Sequence, residues 1–255
     1  GITIPTPSPS GTPNRPWKPY EPDYKCQRCR DMGWLAVNYD VDIHHPDFSR
    51  QIPCDCTIQR EAAERQTPEY LHSRGLPANP KTFDNFAKRR GTEQMLAACQ
   101  KLASGTAPYI FLLAYGGVGN GKSHLAQAFA RAVNLRGLDC RYYEVADMIA
   151  LLKSAIPSNA VEERFQELSI CPALVLDDFK PDYLRDWGAD LFERLISARY
   201  RDQRVTLLIS NVDLPGIPER IRSRFADPEI GRIVLNSATD YRLRVAAVGE
   251  LGLPK

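Results

Sequence analysis

The 255-residue sequence lacks the features of a membrane-bound or secreted protein. No apolar run approaches the roughly 20 residues that a membrane-spanning helix needs, and the N-terminus lacks the charged-then-apolar layout of a signal peptide. It also lacks a strong charge of one sign, since 33 Lys and Arg residues stand against 31 Asp and Glu. Charge therefore does not indicate a nucleic-acid partner, and any DNA site must be a local patch. We expect a cytoplasmic protein with no membrane partner.

The seven cysteines are unevenly distributed along the chain. Three lie singly in apolar stretches and are interpreted as buried core thiols of a reducing compartment: Cys99, Cys140 and Cys171. Four form two tight pairs: Cys26, Cys29, Cys54 and Cys56. Four thiols at this spacing predict a closed, structural zinc site that staples a module with little apolar core. An iron–sulfur cluster, two disulfides, or a ligand role for His44 or His45 are the alternatives.

Composition divides the chain into four expected segments. Residues 1–22 are crowded with Pro, Ser, Thr and Gly and predict a flexible, partly extended arm. Residues 23–56 form the zinc-binding module, with a hairpin-like strand within 32–43. Residues 57–86 predict a helical linker that is interrupted near Pro68 and stopped at Gly75. Residues 87–255 form the main domain.

Strand-like and helix-like segments alternate in the main domain. The expected strands are 109–115, 140–145, 173–178, 205–211 and 232–236, and the expected helices are 122–136, 146–154, 160–169 and 184–201. Continuous apolar strands separated by amphipathic helices predict an α/β fold whose parallel sheet is covered by helices on both faces. The carboxyl ends of such strands share one edge of the sheet, where ligands bind.

A phosphate-binding motif directly follows the first strand of the main domain. It matches G-x-x-x-x-G-K-[ST] and comprises Gly116, Gly117, Val118, Gly119, Asn120, Gly121, Lys122 and Ser123. The loop and the following helix N-terminus predict binding of ATP or ADP, with Lys122 reaching the β- and γ-phosphates and Ser123 ligating Mg²⁺. His124 is included among the nucleotide-binding residues. The alternative is a flexible Gly-rich turn without a ligand, which the strand–loop–helix context disfavours.

Polar side chains end two further strands of the predicted sheet. Asp177 is predicted to hold Mg²⁺ and Asp178 to polarise the attacking water, the alternative being a solvated Asp-Asp turn. Many ATPases of this type have Glu at the second position, so the shorter Asp178 predicts slow intrinsic hydrolysis. Asn211 is a candidate γ-phosphate sensor and, equally, a turn former.

Arginines cluster on a short predicted helix over 219–225. Arg220 and Arg224 share one face of this helix at i and i+4. An arginine that reaches the γ-phosphate of a neighbouring subunit supplies charge that stabilises the transition state. Composition alone favours a solvated basic helix end.

Together these motifs resemble the DnaC/DnaI-type helicase loaders and the related IstB-type transposition ATPases, which are AAA+ proteins. The resemblance covers about residues 24–244. It rests on CQRC, DMGW and CDC in the module, on LHSRGLPANPKTFDNF, and on GGVGNGKSHLA, LVLDDF, ISN, ERIRSRF and DYRLRV in the main domain. In that family a second Asp at the carboxylate pair is common.

The resemblance implies an ATP-dependent loader in DNA replication that binds single-stranded DNA and delivers the hexameric replicative helicase. It implies Mg²⁺-dependent hydrolysis of ATP, a helicase-gripping zinc module and self-association through the ATP site. By motif position Arg224 is the trans-acting arginine and Arg220 its partner. Arg242 lies near the place of a second nucleotide-sensing arginine, and we expect the ATPase domain over 87–255 to lack a full lid domain.

The resemblance also implies a DNA site on the helices after the second strand, over 146–168. Lys153, Arg164 and Phe165 are available there, although the residues alone favour ordinary packing helices. Two other functions stay open. One is an IstB-like helper that presents target DNA to a transposase, against which the cysteine module favours the loader. The other is a nucleotide-gated binding module in which hydrolysis is incidental.

Overall fold

The computed structural model describes residues 23–184 and 187–241. The arm predicted for residues 1–22 and the candidate Arg242 lie outside these described residues. The chain forms two compact units that divide between Gln59 and Arg60. None of the helices in the described part has both the length and the apolar character required to cross a membrane.

The first unit contains one antiparallel hairpin. Strand β1 (Trp34–Val37) pairs with β2 (Arg50–Pro53), so a strand forms within 32–43 as predicted. The backbone N–H of Cys54 and the hydroxyl of Thr57 both donate to the carbonyl oxygen of Gly33, each at 2.8 Å. These bonds tie the end of β2 to the start of β1.

Two short helices follow, with the predicted break between them. Helix α1 (Asp55–Glu64) ends before Pro68, which begins helix α2 (Pro68–Ser73). The hydroxyl of Thr67 accepts the N–H of Tyr70 at 3.2 Å and caps α2, and proline is favoured in the first turn because its missing N–H has no helical partner.

The second unit is built on one parallel sheet of five strands. These are β3 (Phe111–Tyr115), β4 (Cys140–Glu144), β5 (Ala173–Phe179), β6 (Val205–Ser210) and β7 (Gly231–Leu235). Their spatial order is β4-β5-β6-β3-β7, and each neighbouring pair is parallel. The predicted α/β fold class is confirmed.

Six further α-helices lie in the described part of this unit. They are α3 (Glu93–Ser104), α4 (Lys122–Leu135), α5 (Val145–Ser154), α6 (Val161–Ile170), α7 (Trp187–Arg201) and α8 (Glu219–Phe225). Helix α3 has no counterpart among the predicted elements, although its buried residues recur at helical spacing. The helix expected from about 184 is preceded by a 3₁₀ turn over Pro181–Leu184.

The sheet separates two apolar clusters. Leu112 and Ala114 of β3 pack with residues of α3 and α4, whereas Phe111 and Leu113 pack with residues of α5 to α8. Successive side chains of a strand point to opposite faces, so a strand covered on both sides must be apolar throughout. The continuous apolar runs of the sequence arise from this double burial.

Arg199 of α7 is a fully buried charge within the second unit. Its guanidinium donates to the hydroxyl of Thr206 at 3.0 Å and to four carbonyl oxygens, those of Leu168 at 2.7 Å, Ser169 at 3.4 Å, Cys171 at 2.9 Å and Val205 at 2.6 Å. These acceptors lie near the amino-terminal ends of β5 and β6. Arg199 therefore joins α7 to the loops at the edge of the sheet opposite the phosphate loop.

Replacing Arg199 with Leu should lower the free energy of unfolding by about 3–5 kcal/mol, because it leaves several buried carbonyl oxygens without donors. Urea unfolding monitored by circular dichroism measures the change. Arg201→Leu is the matched control, since that side chain is 74% exposed, and its unfolding midpoint should equal that of the parent. Equal midpoints for both variants would contradict the structural role of Arg199.

Candidate functional site

The phosphate loop lies between the carboxyl end of β3 and the first turn of α4. Gly116 has φ +141°, and a Cβ atom there would lie 2.2 Å from the carbonyl oxygen of Asn236. Gly121 precedes α4 with φ +94°. Both positions need glycine because other residues rarely adopt these conformations. The strand, loop and helix predicted around the motif are therefore present.

Lys122 is nearly fully buried beneath the loop. Its Nζ donates to the carbonyl oxygens of Gly116 at 2.8 Å and Gly117 at 2.6 Å, and to Oδ1 of Asn120 at 3.0 Å. Burial lowers the pKa of Lys122 to about 8, while two nearby carboxylates oppose that effect. The ammonium group is thus held in place before any phosphate arrives, which reduces the ordering cost of binding.

Two buried asparagines fix the loop to the sheet. The Asn120 side chain donates to the carbonyl oxygen of Asn236 at 2.9 Å, and the Asn236 side chain donates back to the carbonyl oxygen of Asn120 at 3.2 Å. Asn236 directly follows β7 and is not a predicted site residue. Its role depends on the neighbouring positions of β3 and β7, which local sequence does not reveal.

Asp177 lies at the carboxyl end of β5 and is 2% exposed. One oxygen accepts the hydroxyl of Tyr142 from the adjacent strand β4, and the other accepts the backbone N–H of Asp178 at 2.8 Å. Burial and the Asp177 carboxylate raise the pKa of Tyr142, so the phenol stays a donor. Tyr142 was not predicted as a site residue, because only the pairing of β4 with β5 places it there.

The pairing of β5 with β6 shifts by one residue beside the two carboxylates. Leu176 pairs with Leu208, but Phe179 pairs with Ser210, so β5 has one extra residue. Such a bulge redirects side chains at a sheet edge. Asp178 adopts φ +51° at this point, a conformation that costs energy for a residue with a side chain.

Both oxygens of Asp178 accept hydrogen bonds. Oδ1 accepts the side-chain amide of Asn211 at 2.7 Å. Oδ2 accepts Nζ of Lys180 at 2.8 Å and the hydroxyl of Tyr183 at 3.4 Å. The hydrogen bond to Asp178 raises the pKa of Lys180 above its ordinary value. The predicted water-polarising residue and the predicted sensor are therefore in direct contact, and Lys180 is an additional partner.

A cleft of about 770 Å³ brings the predicted residues together. Its lining includes Val118 to His124 of the motif, Asp177, Asp178 and Asn211. It also includes residues that sequence reasoning did not place at the site, namely Lys81, Asn85, Phe86, Ala87, Arg89, Gln127, Glu144 and Tyr241. Of the segment 81–89, residues 81–86 are predicted as the end of the linker and residues 87–89 as the start of the main domain; the TFDNF motif of the family resemblance lies within this segment.

His124 attaches this segment to α4. Its Nε2 lies 2.9 Å from the carbonyl oxygen of Thr82, and its ring makes an edge contact with Phe86, with centroids 5.0 Å apart. Burial lowers the pKa of His124, which favours the neutral ring. Arg89 and Tyr241 also line the cleft, and the guanidinium of Arg89 lies 5.1 Å from the ring centroid of Tyr241. Aromatic and cationic groups thus surround the space beside the loop.

Arg220 and Arg224 lie on α8 and line a separate cleft of about 240 Å³. Among the described residues, those that line the phosphate-loop cleft include neither arginine. Arg220 pairs with Glu193 at 3.4 Å and is largely exposed. Arg224 stacks on Tyr200, with its guanidinium carbon 4.8 Å from the ring centroid, and its Nε is buried without a hydrogen-bond partner.

The helices implied for DNA binding have mixed surfaces. Lys153 of α5 is exposed, and Arg164 of α6 pairs with Glu167 at 3.1 Å. Phe165 is only 4% exposed, belongs to the apolar core and is covered by Arg194 at 4.6 Å. Phe165 is therefore not free to stack on a base, because the amphipathic period of α6 buries it. For Phe165 the structure therefore agrees with the alternative that α6 is an ordinary packing helix.

The four paired cysteines converge in the first unit. The sulfurs of Cys26 and Cys54 are 3.8 Å apart and those of Cys29 and Cys56 are 3.4 Å apart, and all four lie within 4.8 Å of one another. A tetrahedral zinc site with Zn–S bonds of about 2.3 Å requires sulfur separations of about 3.8 Å. The cluster therefore fits one zinc ion, and its sulfurs are too close to enclose the several irons of a larger cluster.

Hydrogen bonds within the cluster give these thiols different pKa values. A backbone N–H group at Cys29 lowers the pKa of Cys26 to about 7, and hydrogen bonding with the Cys29 thiol raises the pKa of Cys56 to about 12. All four are free cysteines, so the disulfide alternative has no support. His44 and His45 are exposed and do not belong to the four-cysteine group.

Comparison with known proteins identifies the family. The model of the family described as IstB-like ATP binding protein matches residues 51–240. The chain belongs to this family. The resemblance to IstB-related AAA+ ATPases, stated from the sequence motifs, is confirmed.

Individual relatives of this IstB-like protein are replication proteins. The chromosomal replication initiator protein DnaA of Limosilactobacillus fermentum is 29% identical over 209 residues, 77% of this chain and 47% of that protein. The chain spans about half the length of the curated relatives it matches.

Two solved structures share the fold at 22% sequence identity. The replication initiator DnaA bound to AMPPCP and single-stranded DNA has a TM-score of 0.56 over 69% of this chain and 57% of that one. The DnaC helicase loader has a TM-score of 0.53 over 61% of this chain and 96% of that one. The IstB-like protein therefore has the AAA+ fold of DnaA and DnaC.

The purified IstB-like protein should contain about one zinc ion per chain, because four thiolates complete a tetrahedral site. Elemental analysis by mass spectrometry measures the stoichiometry. Cys54→Ala should lose the zinc and unfold the hairpin module while the ATPase fold persists. The buried core thiol provides the control, since Cys99→Ala should keep its zinc. Bound iron, or full zinc content in Cys54→Ala, would overturn this assignment.

Proposed function

We propose that this protein is an ATP-hydrolysing helicase loader that binds single-stranded DNA and delivers the replicative helicase during DNA replication. The observation that carries the ATPase part is the meeting of Lys122, Asp177, Asp178 and Asn211 at one cleft. A cation, two carboxylates and an amide at the phosphate loop are the groups that phosphoryl transfer to water requires. We infer that the cleft holds ATP and that its aromatic side, near Phe86 and Tyr241, receives the base.

The magnesium ion of the substrate fits the residues present. Each oxygen of Asp177 accepts one hydrogen bond and keeps a second lone pair, and Ser123 is exposed in the cleft. Mg²⁺ held between them would offset charge on the phosphate oxygens. The hydroxyl of Tyr142 and the N–H of Asp178 orient Asp177 for this role, as outer partners do at metal sites.

Asp178 would accept a proton from the attacking water, with Asn211 fixing the carboxylate and sensing the γ-phosphate. Arg224 would act on the neighbouring subunit. Its Nε lacks a partner, and it lies outside the cleft of its own chain, so a second subunit is needed to bring it to a γ-phosphate. Tyr200 would hold the guanidinium by stacking, while Arg220, paired with Glu193, would assist.

The loader assignment rests on two further points. The DnaC helicase loader shares the fold over nearly its full length, and the DnaA structure with single-stranded DNA suggests the same ligand for this chain. The four-cysteine module suits a helicase-binding element, because a fold stabilised by zinc does not depend on bound nucleotide. We propose that it contacts the hexameric helicase and that exposed Lys153 contributes to the DNA site.

A transposition helper is the second candidate, since the family match itself is to IstB-like proteins. Such a helper shares the ATPase core and would assemble on duplex target DNA. In that function the N-terminal module would need no affinity for the helicase. The preference for single-stranded or duplex DNA, together with capture of the helicase, separates the two functions.

Lys122→Ala should weaken nucleotide binding about 10- to 100-fold, because charge-assisted contacts to phosphate are lost. Asp178→Asn should keep nucleotide affinity and lower turnover at least about 100-fold, because the base is removed. Titration with a fluorescent ATP analogue and a phosphate-release assay measure the two effects. Lys101→Ala on α3, an exposed lysine outside the cleft, is the control. Equal loss of binding in both site variants would show that Asp178 is misassigned.

Hydrolysis per chain should rise with protein concentration if Arg224 acts in trans. Arg224→Ala should abolish that rise and leave nucleotide affinity nearly unchanged, because the arginine contacts only a neighbour's phosphate. Mixing Arg224→Ala with Lys122→Ala protein provides a direct test. The first contributes an intact cleft and the second an intact arginine, so turnover should reappear in the mixture. Activity that is independent of concentration would exclude the trans role.

The intact protein should prefer single-stranded to duplex DNA in the presence of ATP and should capture the replicative helicase. Fluorescence anisotropy with labelled DNA, over a range of salt concentrations, measures the first property. A pull-down of the helicase with parent, Cys54→Ala and Cys99→Ala proteins measures the second, and only Cys54→Ala should fail. Preference for duplex DNA together with a failed pull-down by the parent would favour the transposition helper.

A further inference from the structure

The strongest unexplained contact near the cleft is the ion pair between Lys180 and Asp178. Nζ of Lys180 lies 2.8 Å from Oδ2 of Asp178 and also donates to the hydroxyl of Tyr183 at 3.0 Å. Tyr183 in turn approaches the same carboxylate oxygen at 3.4 Å. Lys180 comes directly after β5, and Tyr183 lies in the 3₁₀ turn that follows. The strand and its following turn thus present a cation and a phenol to one carboxylate oxygen.

Lys180 is not placed to bind the phosphates itself. Among the described residues that line the phosphate-loop cleft, Asp178 and Asn211 are present but Lys180 and Tyr183 are not. The cation therefore meets Asp178 from outside the cleft. Its charge acts on the nucleotide only through the carboxylate that it contacts.

We propose that Lys180 restrains Asp178 and so lowers the rate at which the free protein hydrolyses ATP. The inference rests on the proposed role of Asp178 as the base. In that reaction the water oxygen bonds to the γ-phosphorus, and the bond from this phosphorus to the bridging oxygen breaks. ADP leaves with the electron pair of that bond, and one water proton passes to Asp178.

The restraint follows from the chemistry of the carboxylate. The ion pair holds Oδ2 of Asp178 on Lys180, a residue that does not line the cleft. The Lys180 and Tyr183 donors also use the lone pairs of Oδ2, while Asn211 uses one of Oδ1. Few acceptor positions remain for a water molecule. While the ion pair is closed, Asp178 is therefore poorly placed to accept the proton of the attacking water.

The size of the effect follows from the exposure of the pair. The side chains of Lys180 and Asp178 are 41% and 29% exposed, so water and salt weaken their attraction. Pairs of this kind shift an equilibrium by about two- to five-fold. Removal of Lys180 should therefore raise turnover by a similar factor. A contact with DNA or a partner that draws Lys180 away would have the same effect.

The test compares the full-length parent with Lys180→Met, which keeps the length of the side chain and removes the charge. The kcat of ATP hydrolysis should rise about two- to five-fold with KM unchanged. Lys180→Arg retains a cation, so its kcat should lie below that of Lys180→Met. Lys101→Met removes one positive charge from a residue that does not line the cleft, and this variant should match the parent. An unchanged or lower kcat in Lys180→Met would overturn the restraint.

A double variant shows whether the effect passes through Asp178. In an Asp178→Asn background, Lys180→Met should leave the residual rate unchanged, because no carboxylate remains to be restrained. An equal increase in both backgrounds would overturn the proposal. Titration with a fluorescent ATP analogue is carried out on every variant. If Lys180→Met binds nucleotide but does not turn over faster than the parent, only the restraint is rejected. If the parent itself does not bind nucleotide, the proposed ATPase function is rejected.

Discussion

The site depends on one irregularity, the extra residue that β5 carries against β6. In a regular strand Asp177 and Asp178 would point to opposite faces of the sheet, and Phe179 would share a face with Asp177. The bulge instead keeps Phe179 on the same face as Leu176, within the core formed with α5 to α8. Both carboxylates are then left at the sheet edge, where they line one cleft. The unfavourable φ of Asp178 is the local cost of this arrangement.

Two lysines divide the positive charge near these carboxylates. Lys122 lies within the cleft, buried and held by carbonyl oxygens, so its charge is directed at an arriving phosphate. Lys180 lies outside the cleft and is held by the carboxylate itself. In the proposed function the first position favours nucleotide binding, whereas the second restrains Asp178. In the proposed function the protein therefore binds ATP readily and hydrolyses it slowly until a partner alters the second contact.

Structure could be predicted from the sequence wherever a short local pattern is compatible with only one backbone conformation. The phosphate loop, the apolar strands and the helix break at Pro68 all lie where their patterns predicted them. Residues brought in by strand pairing carried no such signal, and Tyr142 and Asn236 became visible only through their neighbours in the sheet. A helical pattern also cannot distinguish a ligand-stacking aromatic from a packing one, which is why Phe165 required the structure.

Helix α7 connects the core of the second unit with its arginine surface. Arg199 fixes the end of the helix through buried hydrogen bonds, and the next residue, Tyr200, supports Arg224 by stacking. The hydroxyl of Tyr200 donates to Asp227, which also accepts the N–H of Glu229. Arg224 is therefore held in position by residues that are anchored to the core. If Arg224 acts in trans as proposed, a fixed arginine on one surface and an open cleft on another would require a head-to-tail contact between subunits, which closes into a ring or extends into a helix. Under the proposed function, hydrolysis would then depend on assembly as well as on ATP.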